Sequence, residues 1–160
     1  LKRDGRPAAE ISFATRKENI PMSEANKAVV RRYREIYNTN QLDKLGEVLA
    51  ADFTPHTLLP GLPPGLDGIK MAHQGALAAF PDLHVTAEDL IAEGDKVVER
   101  WSQTQTHSGA AFMNIPPRGK KVRTTGISIY RLKDGKIAEH WAEMDFMGVL
   151  QQLGALPGPG

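Results

Sequence analysis

Few side chains in this sequence suit covalent or proton chemistry, and their spacing narrows the choice further. The chain has no cysteine, which removes thiolate nucleophiles, disulfide frameworks and sulfur-ligated metals together. Five histidines, His56, His73, His84, His107 and His140, are scattered without a ligand spacing such as HExxH, so no metal site is expected. Neither a Gly-x-Ser-x-Gly elbow nor a Gly-rich phosphate cradle ahead of a helix occurs. Acid–base chemistry remains. His140 is the best general base or acid, because imidazole titrates near neutrality and needs only modest tuning. Arg100 would hold a carboxylate or stabilise an enolate or oxyanion. Ser102 and Ser128 would orient a hydroxyl or carbonyl, and His56 would assist. Two plainer readings stand beside these: His140 as a structural hydrogen-bonding residue, and Arg100 paired with Glu88 or Glu99.

These residues need extended segments to carry them. Four runs rich in β-formers, 83–91, 97–107, 122–130 and 137–144, alternate with turn signals. Gly94-Asp95 and Asp134-Gly135 are hairpin turns by composition. Side chains alternate along a strand. The even positions Arg100, Ser102, Thr104, Gly126, Ser128, His140, Ala142 and Met144 are therefore expected on one face, lining a wet cavity with His56 near its mouth. The run 97–107 is polar on both sides, which a sheet with one face under helices should not be. Its odd positions are accordingly read as packing on a second subunit, with Trp101, Gln103 and Trp141 at the interface. Glu139 and Glu143 share that parity and fall outside the cavity, unless a bulge near Ala142 flips it. Asp145 is expected to cap a short closing helix.

Helices come first in the chain. Val29, Tyr33, Ile36 and Tyr37 form one apolar stripe, with Ser23 as N-cap and Arg31, Arg32, Arg34 and Glu35 on the wet side. Asp43 caps a shorter helix. Asp67 caps a third over 68–80, where His73 shares a face with Ile69, Leu77 and Phe80 and reads as a core histidine. Tyr33 and Tyr37 are either core tyrosines or place a hydroxyl in a ligand cavity. Helices followed by an antiparallel meander indicate an α+β fold.

The 160 residues suffice for one domain and one core. At 41% hydrophobic, 24% charged and net charge +1, nothing favours nucleic acid or an acidic membrane as partner. No apolar run has the length of a membrane span or of a secretory signal core, and a cytoplasmic location is expected. Residues 1–21 are basic and without helical period. They read as a disordered or non-native leader before a natural start at Met22, or as a native arm. The domain is placed at 22–154, with 155–160 a flexible tail.

Six short motifs then carry a resemblance. Phe80-Pro81-Asp82-Leu83, Glu93-Gly94-Asp95-Lys96-Val97-Val98, Thr106-His107-Ser108-Gly109, Ile115-Pro116-Pro117-Arg118-Gly119-Lys120, Asp134-Gly135-Lys136-Ile137-Ala138-Glu139-His140-Trp141 and Gln151-Gln152-Leu153-Gly154 follow in order. Together they resemble the SnoaL-like polyketide cyclase family of the nuclear-transport-factor-2-like superfamily, related to limonene epoxide hydrolase and ketosteroid isomerase. The resemblance implies a cone-shaped α+β barrel, with N-terminal helices packed in a strongly curved, mixed but mainly antiparallel sheet. It also implies a deep pocket, a homodimer through the outer sheet face, and no cofactor or metal. It assigns an acid/base aspartate to the position of Ala142 and a second histidine to that of Ser128. The epoxide-hydrolase triad would fall on Arg100, Ser102 and Ala142, so neither mechanism transfers intact. The leading expectation is a cofactor-free cyclase, isomerase or hydrolase on a small hydrophobic, oxygenated molecule. His140 and Arg100 would be catalytic, and His56, Ser102, Ser128, Tyr37 and Met144 would bind substrate. The alternatives are a binding protein that has lost the family aspartate, or a dimeric interaction module.

Overall fold

The structure is a computed structural model that describes residues 21–158; most of the expected leader therefore lies outside the described residues. Helix α1 (Met22–Asn38) leads into a 3-10 turn (Leu42–Glu47) and strand β1 (Leu49–Pro55). Helix α2 (Gly65–Ala79) precedes strands β2 (His84–Glu93), β3 (Lys96–Thr106), β4 (Lys121–Lys133) and β5 (Lys136–Met144), and α3 (Phe146–Gln152) closes the described chain. The sheet order is β1-β5-β4-β3-β2, with β1 parallel to β5 and every other pair antiparallel. The fold is α+β with helices packed in a curled, mixed sheet, as expected, and the curl stays open because β1 and β2 remain edges.

Local chemistry explains most of the boundaries. Asp134 and Gly135 both take positive φ, 51° and 75°, the requirement of a two-residue type I′ hairpin, and they join β4 to β5. At the other tight turn Gly94 supplies the positive φ, 57°. Asp145 accepts from the Gly148 backbone N–H at 2.8 Å and so starts α3. Three expected caps are corrected. Asp43 lies inside the 3-10 turn, whose cap position is Gln41. α1 begins a residue before Ser23, with Pro21 in the cap position. α2 begins at Gly65, so Asp67 lies inside its first turn, where a carboxylate still meets the positive end of the helix dipole. Asn38 fastens the end of α1 to β2 by donating to the Val85 carbonyl at 2.8 Å and accepting from the Val85 N–H at 2.9 Å.

Two apolar clusters hold the layers together. Val30, Ile36, Leu45, Val97 and Ile137 join α1 and the 3-10 turn to the sheet. Phe80, Leu83, Val122, Val149 and Leu153 join the end of α2 and α3 to the sheet's other end. Between them the concave side of the sheet is not filled, and the hollow there is the candidate site.

Candidate functional site

The hollow has a volume of about 440 Å³, within the range of small-molecule pockets. α1 contributes Tyr33, Arg34 and Tyr37; α2 contributes Ile69 and His73; and the segment after β1 contributes Thr57, Leu58 and Leu59. The sheet contributes Trp101, Gln103 and Gln105 from β3, Ser128 and Tyr130 from β4, and His140, Ala142 and Met144 from β5. The wall is mostly apolar, with a few polar groups converging on it.

Directly opposed residues of an antiparallel pair share a face, and the register shows which side of each strand is inside. Ser128 opposes Ala142 and Tyr130 opposes His140, so the even positions of β4 and β5 face the hollow, as expected. Between β3 and β4, Glu99 opposes Ser128 and Trp101 opposes Gly126. The odd positions of β3 therefore face inward, and the expected parity is wrong for that strand alone. Arg100 is corrected to the outer face, where it is 57% exposed and donates to Asp89 at 2.6 Å. Ser102 also points away from the cavity and donates to Glu88 at 2.5 Å. Trp101 and Gln103, expected at a subunit interface, are buried in the cavity wall. Trp101 packs there because its neighbour is Gly126: a Cβ added at residue 126 would stand 2.3 Å from the indole ring.

The remaining candidates divide. Tyr37, Ser128 and Met144 line the cavity, and the Ser128 hydroxyl accepts from the Trp101 indole N–H at 3.0 Å. His56 does not line it. Its ring stacks on Trp141 at 4.5 Å and meets Glu139 at 3.0 Å, outside the hollow. Arg131 also bonds Glu139, and these two partners hold the Glu139 carboxyl below its usual range. Glu143 is an exposed residue at the cavity's edge, and the β4–β5 register runs unbroken past Ala142.

His140 lies parallel to the Tyr130 ring at 4.8 Å, and neither of its ring nitrogens has a hydrogen-bond partner among the described residues. The residue is partly exposed as a whole, but both ring nitrogens are shut away from solvent. That burial, aided by the nearby Arg34 charge, pushes its pKa down to about 3, so it is neutral at pH 7. His73, on the opposite wall, is 1% exposed and also has both nitrogens unpaired. Burial lowers it to about 4.

A polar network sits at the cavity floor. Arg34 clasps Glu99 with two hydrogen bonds, Nε to Oε1 at 3.0 Å and Nη2 to Oε2 at 2.5 Å. The Tyr130 hydroxyl donates to Glu99 at 2.6 Å and accepts from Arg34 at 3.1 Å. Glu99 is 0% exposed. Burial raises the Tyr130 pKa well above its usual value, so the hydroxyl keeps the proton it gives to Glu99. Sequence reasoning placed Arg34 on a wet face. The signal was available: Val30, Arg34 and Tyr37 fall at i, i+4 and i+7, one side of a helix.

A model of the family described as SnoaL-like polyketide cyclase matches residues 27–153. Nogalonic acid methyl ester cyclase of Streptomyces nogalater is 26% identical over 119 residues, covering 74% of this chain and 89% of that protein. Among solved structures, TsrD from Streptomyces laurentii is similar with a TM-score of 0.75 and 28% identity, over 83% of this chain and 97% of that one. IdmH from Streptomyces antibioticus is similar with a TM-score of 0.72 and 32% identity, over 81% and 98%. One family model thus spans both core clusters and the whole sheet, and the chain belongs to the SnoaL-like polyketide cyclases.

Proposed function

We propose that the cavity binds an apolar, oxygenated small molecule of polyketide type and carries out cofactor-independent acid–base chemistry on it, with His140 transferring the proton. Cyclisation is the favoured reaction, since the curated relative is named a cyclase; isomerisation and hydrolysis use the same proton steps. The observation that carries this reading is the His140 ring in the cavity wall with both nitrogens unpaired. Buried polar groups are ordinarily satisfied, and an oxygenated ligand that displaces the groups now covering the ring would supply the missing partners. As a neutral ring, His140 offers one acceptor and one donor. The second reading, a binding protein without turnover, is favoured by an alanine, Ala142, in the cavity wall beside His140 and by the lack of any carboxylate on His140 among the described residues.

The test is a panel of aromatic polyketide esters, lactones and epoxides, scored for thermal stabilisation and for product. His140→Ala is expected to keep ligand stabilisation and to lose turnover by about a hundredfold. Stabilisation without product from the unmodified protein would instead establish the binding reading.

The homodimer surface is proposed on the outer sheet face, where Trp141 stays among the residues first expected while Trp101 and Gln103 give way to others. Ile91, Val98, Ile129 and Trp141 oppose one another in register across β2 to β5, and Ile127 stands beside them, half exposed. Sedimentation of Ile129→Lys is expected to show monomer where the unmodified chain shows dimer. A variant that sediments like the parent removes this face from consideration.

A further inference from the structure

We propose that Arg34 is a catalytic residue of this cavity: its Nη1 donates to the substrate oxygen on which negative charge develops. The inference rests on the reading of the cavity as a site of acid–base chemistry, and it concerns a different group from the proton carrier.

Arg34 reaches the cavity wall from α1, its guanidinium carbon 5.6 Å and 5.4 Å from the centres of the Tyr33 and Tyr37 rings. Two of its three nitrogens are committed, Nε and Nη2 to Glu99, with Nη2 also giving to Tyr130. Nη1 has no partner among the described residues. The Arg34 side chain keeps 12% of its surface exposed and lines the cavity. Among the described residues Arg34 is the only Lys or Arg side chain in the wall, and burial keeps both wall histidines neutral near pH 7.

Geometry and charge suit this donor to a transition state. The two-point grip of Glu99 fixes the guanidinium plane before substrate arrives, so no reorganisation is needed when charge appears. Glu99 also offsets much of the Arg34 charge, which weakens the hold on a preformed anion. What remains is a directed donor whose strength grows as the oxygen becomes negative, the differential binding that accelerates a step. His140 takes a proton from the carbon beside a ketone or ester carbonyl. The C–H electron pair forms the enolate double bond, and the carbonyl π pair moves to the oxygen facing Nη1. The enolate carbon then bonds to a second carbonyl carbon of the same molecule. The imidazolium returns its proton to the new alkoxide. Atoms and electrons balance without a further reactant.

A nitro-substituted 2-naphthol is the probe, because its neutral and ionised forms absorb at different wavelengths and its ring mimics a flat enolate. Binding is read first, from its visible spectrum with the full chain. The bound probe is then titrated. Its pKa is expected to fall below the value in water by about one unit or more, a tenfold shift toward naphtholate at fixed pH. The fall should persist in His140→Ala and vanish in Arg34→Met/Glu99→Leu. A bound probe that ionises no more readily than in water overturns the assignment, and this holds whether or not the double variant folds. A fall that survives the double variant also overturns it. A probe that does not bind sinks the cavity reading itself, and the role of Arg34 with it.

Discussion

Arg34→Ala is expected to lower folding stability by about 3–5 kcal/mol, because it strands the Glu99 carboxylate, 0% exposed, in a site where water cannot replace the lost partner. That is a large share of the roughly 5–15 kcal/mol that holds a domain folded. The surface pair Arg100–Asp89 is the internal control. It looks as good on distance, 2.6 Å, but both side chains are 57% exposed. Arg100→Ala should therefore cost no more than about 1 kcal/mol. The contrast separates burial from contact, which a list of ion pairs does not. Arg34→Met/Glu99→Leu should recover most of the loss, since the pair's mutual attraction largely repays its desolvation and apolar groups have none to repay. Guanidinium denaturation of the parent and these three variants measures both contrasts, and adding Arg34→Met and Glu99→Leu completes a double-mutant cycle. If Arg34→Ala is no less stable than Arg100→Ala, the network is not a structural element of the cavity floor.

The fold was readable in the sequence because independent local signals agreed. Asp134-Gly135 and Gly94-Asp95 mark two-residue turns, and such turns set the register of their own hairpins. Beside the turn, Leu132 pairs with Ile137, which sets even against odd positions; a bulge at Arg131/Leu132 then shifts the pairing by one, and only beyond it do even positions of β4 meet even positions of β5. β3 and β4 are joined instead by residues 107–120, too long a connection for its length to set the register between them. Hydrophobic alternation normally decides such a case, but β3 carries Glu99, Gln103 and Gln105 on one side and Arg100, Ser102 and Thr104 on the other. Only Gly126 could have settled it, as the one position in β4 able to lie beneath the Trp101 indole. The same ambiguity hid the polar floor. Glu99 is a charged residue fully buried in its strand, tolerable only because an arginine from a helix sixty-five residues earlier meets it. No local rule in the sequence announces a partner at that distance.

Acidification from pH 7 to pH 5 is expected to remove about 2–4 kcal/mol of folding stability through His73 and His140. Their folded-state pKa values, about 4 and about 3, lie below the 6.5 of an unfolded chain. At pH 7 neither state holds the proton, so the stability they permit is fully present. As pH falls through 6.5 the unfolded chain binds protons that the folded chain refuses, and the balance moves toward unfolding. The loss grows until the pH reaches the folded values, so the window runs from 6.5 down to about 4 for His73 and about 3 for His140. The carboxylates of Glu24, Asp82 and Glu139, held low by their partners, act differently. Their contribution is complete above the ordinary carboxylate pKa and fades only below it. A loss between pH 7 and pH 5 is therefore not acid titration of these ion pairs, and variants at the two cavity histidines measure their share of it. His73→Gln and His140→Gln should each flatten the curve by about 1–2 kcal/mol over that interval. A parent curve that is already flat there would mean that water reaches both rings in solution, and that the hollow between α2 and β5 is an open cleft whose histidines titrate as they would on any surface.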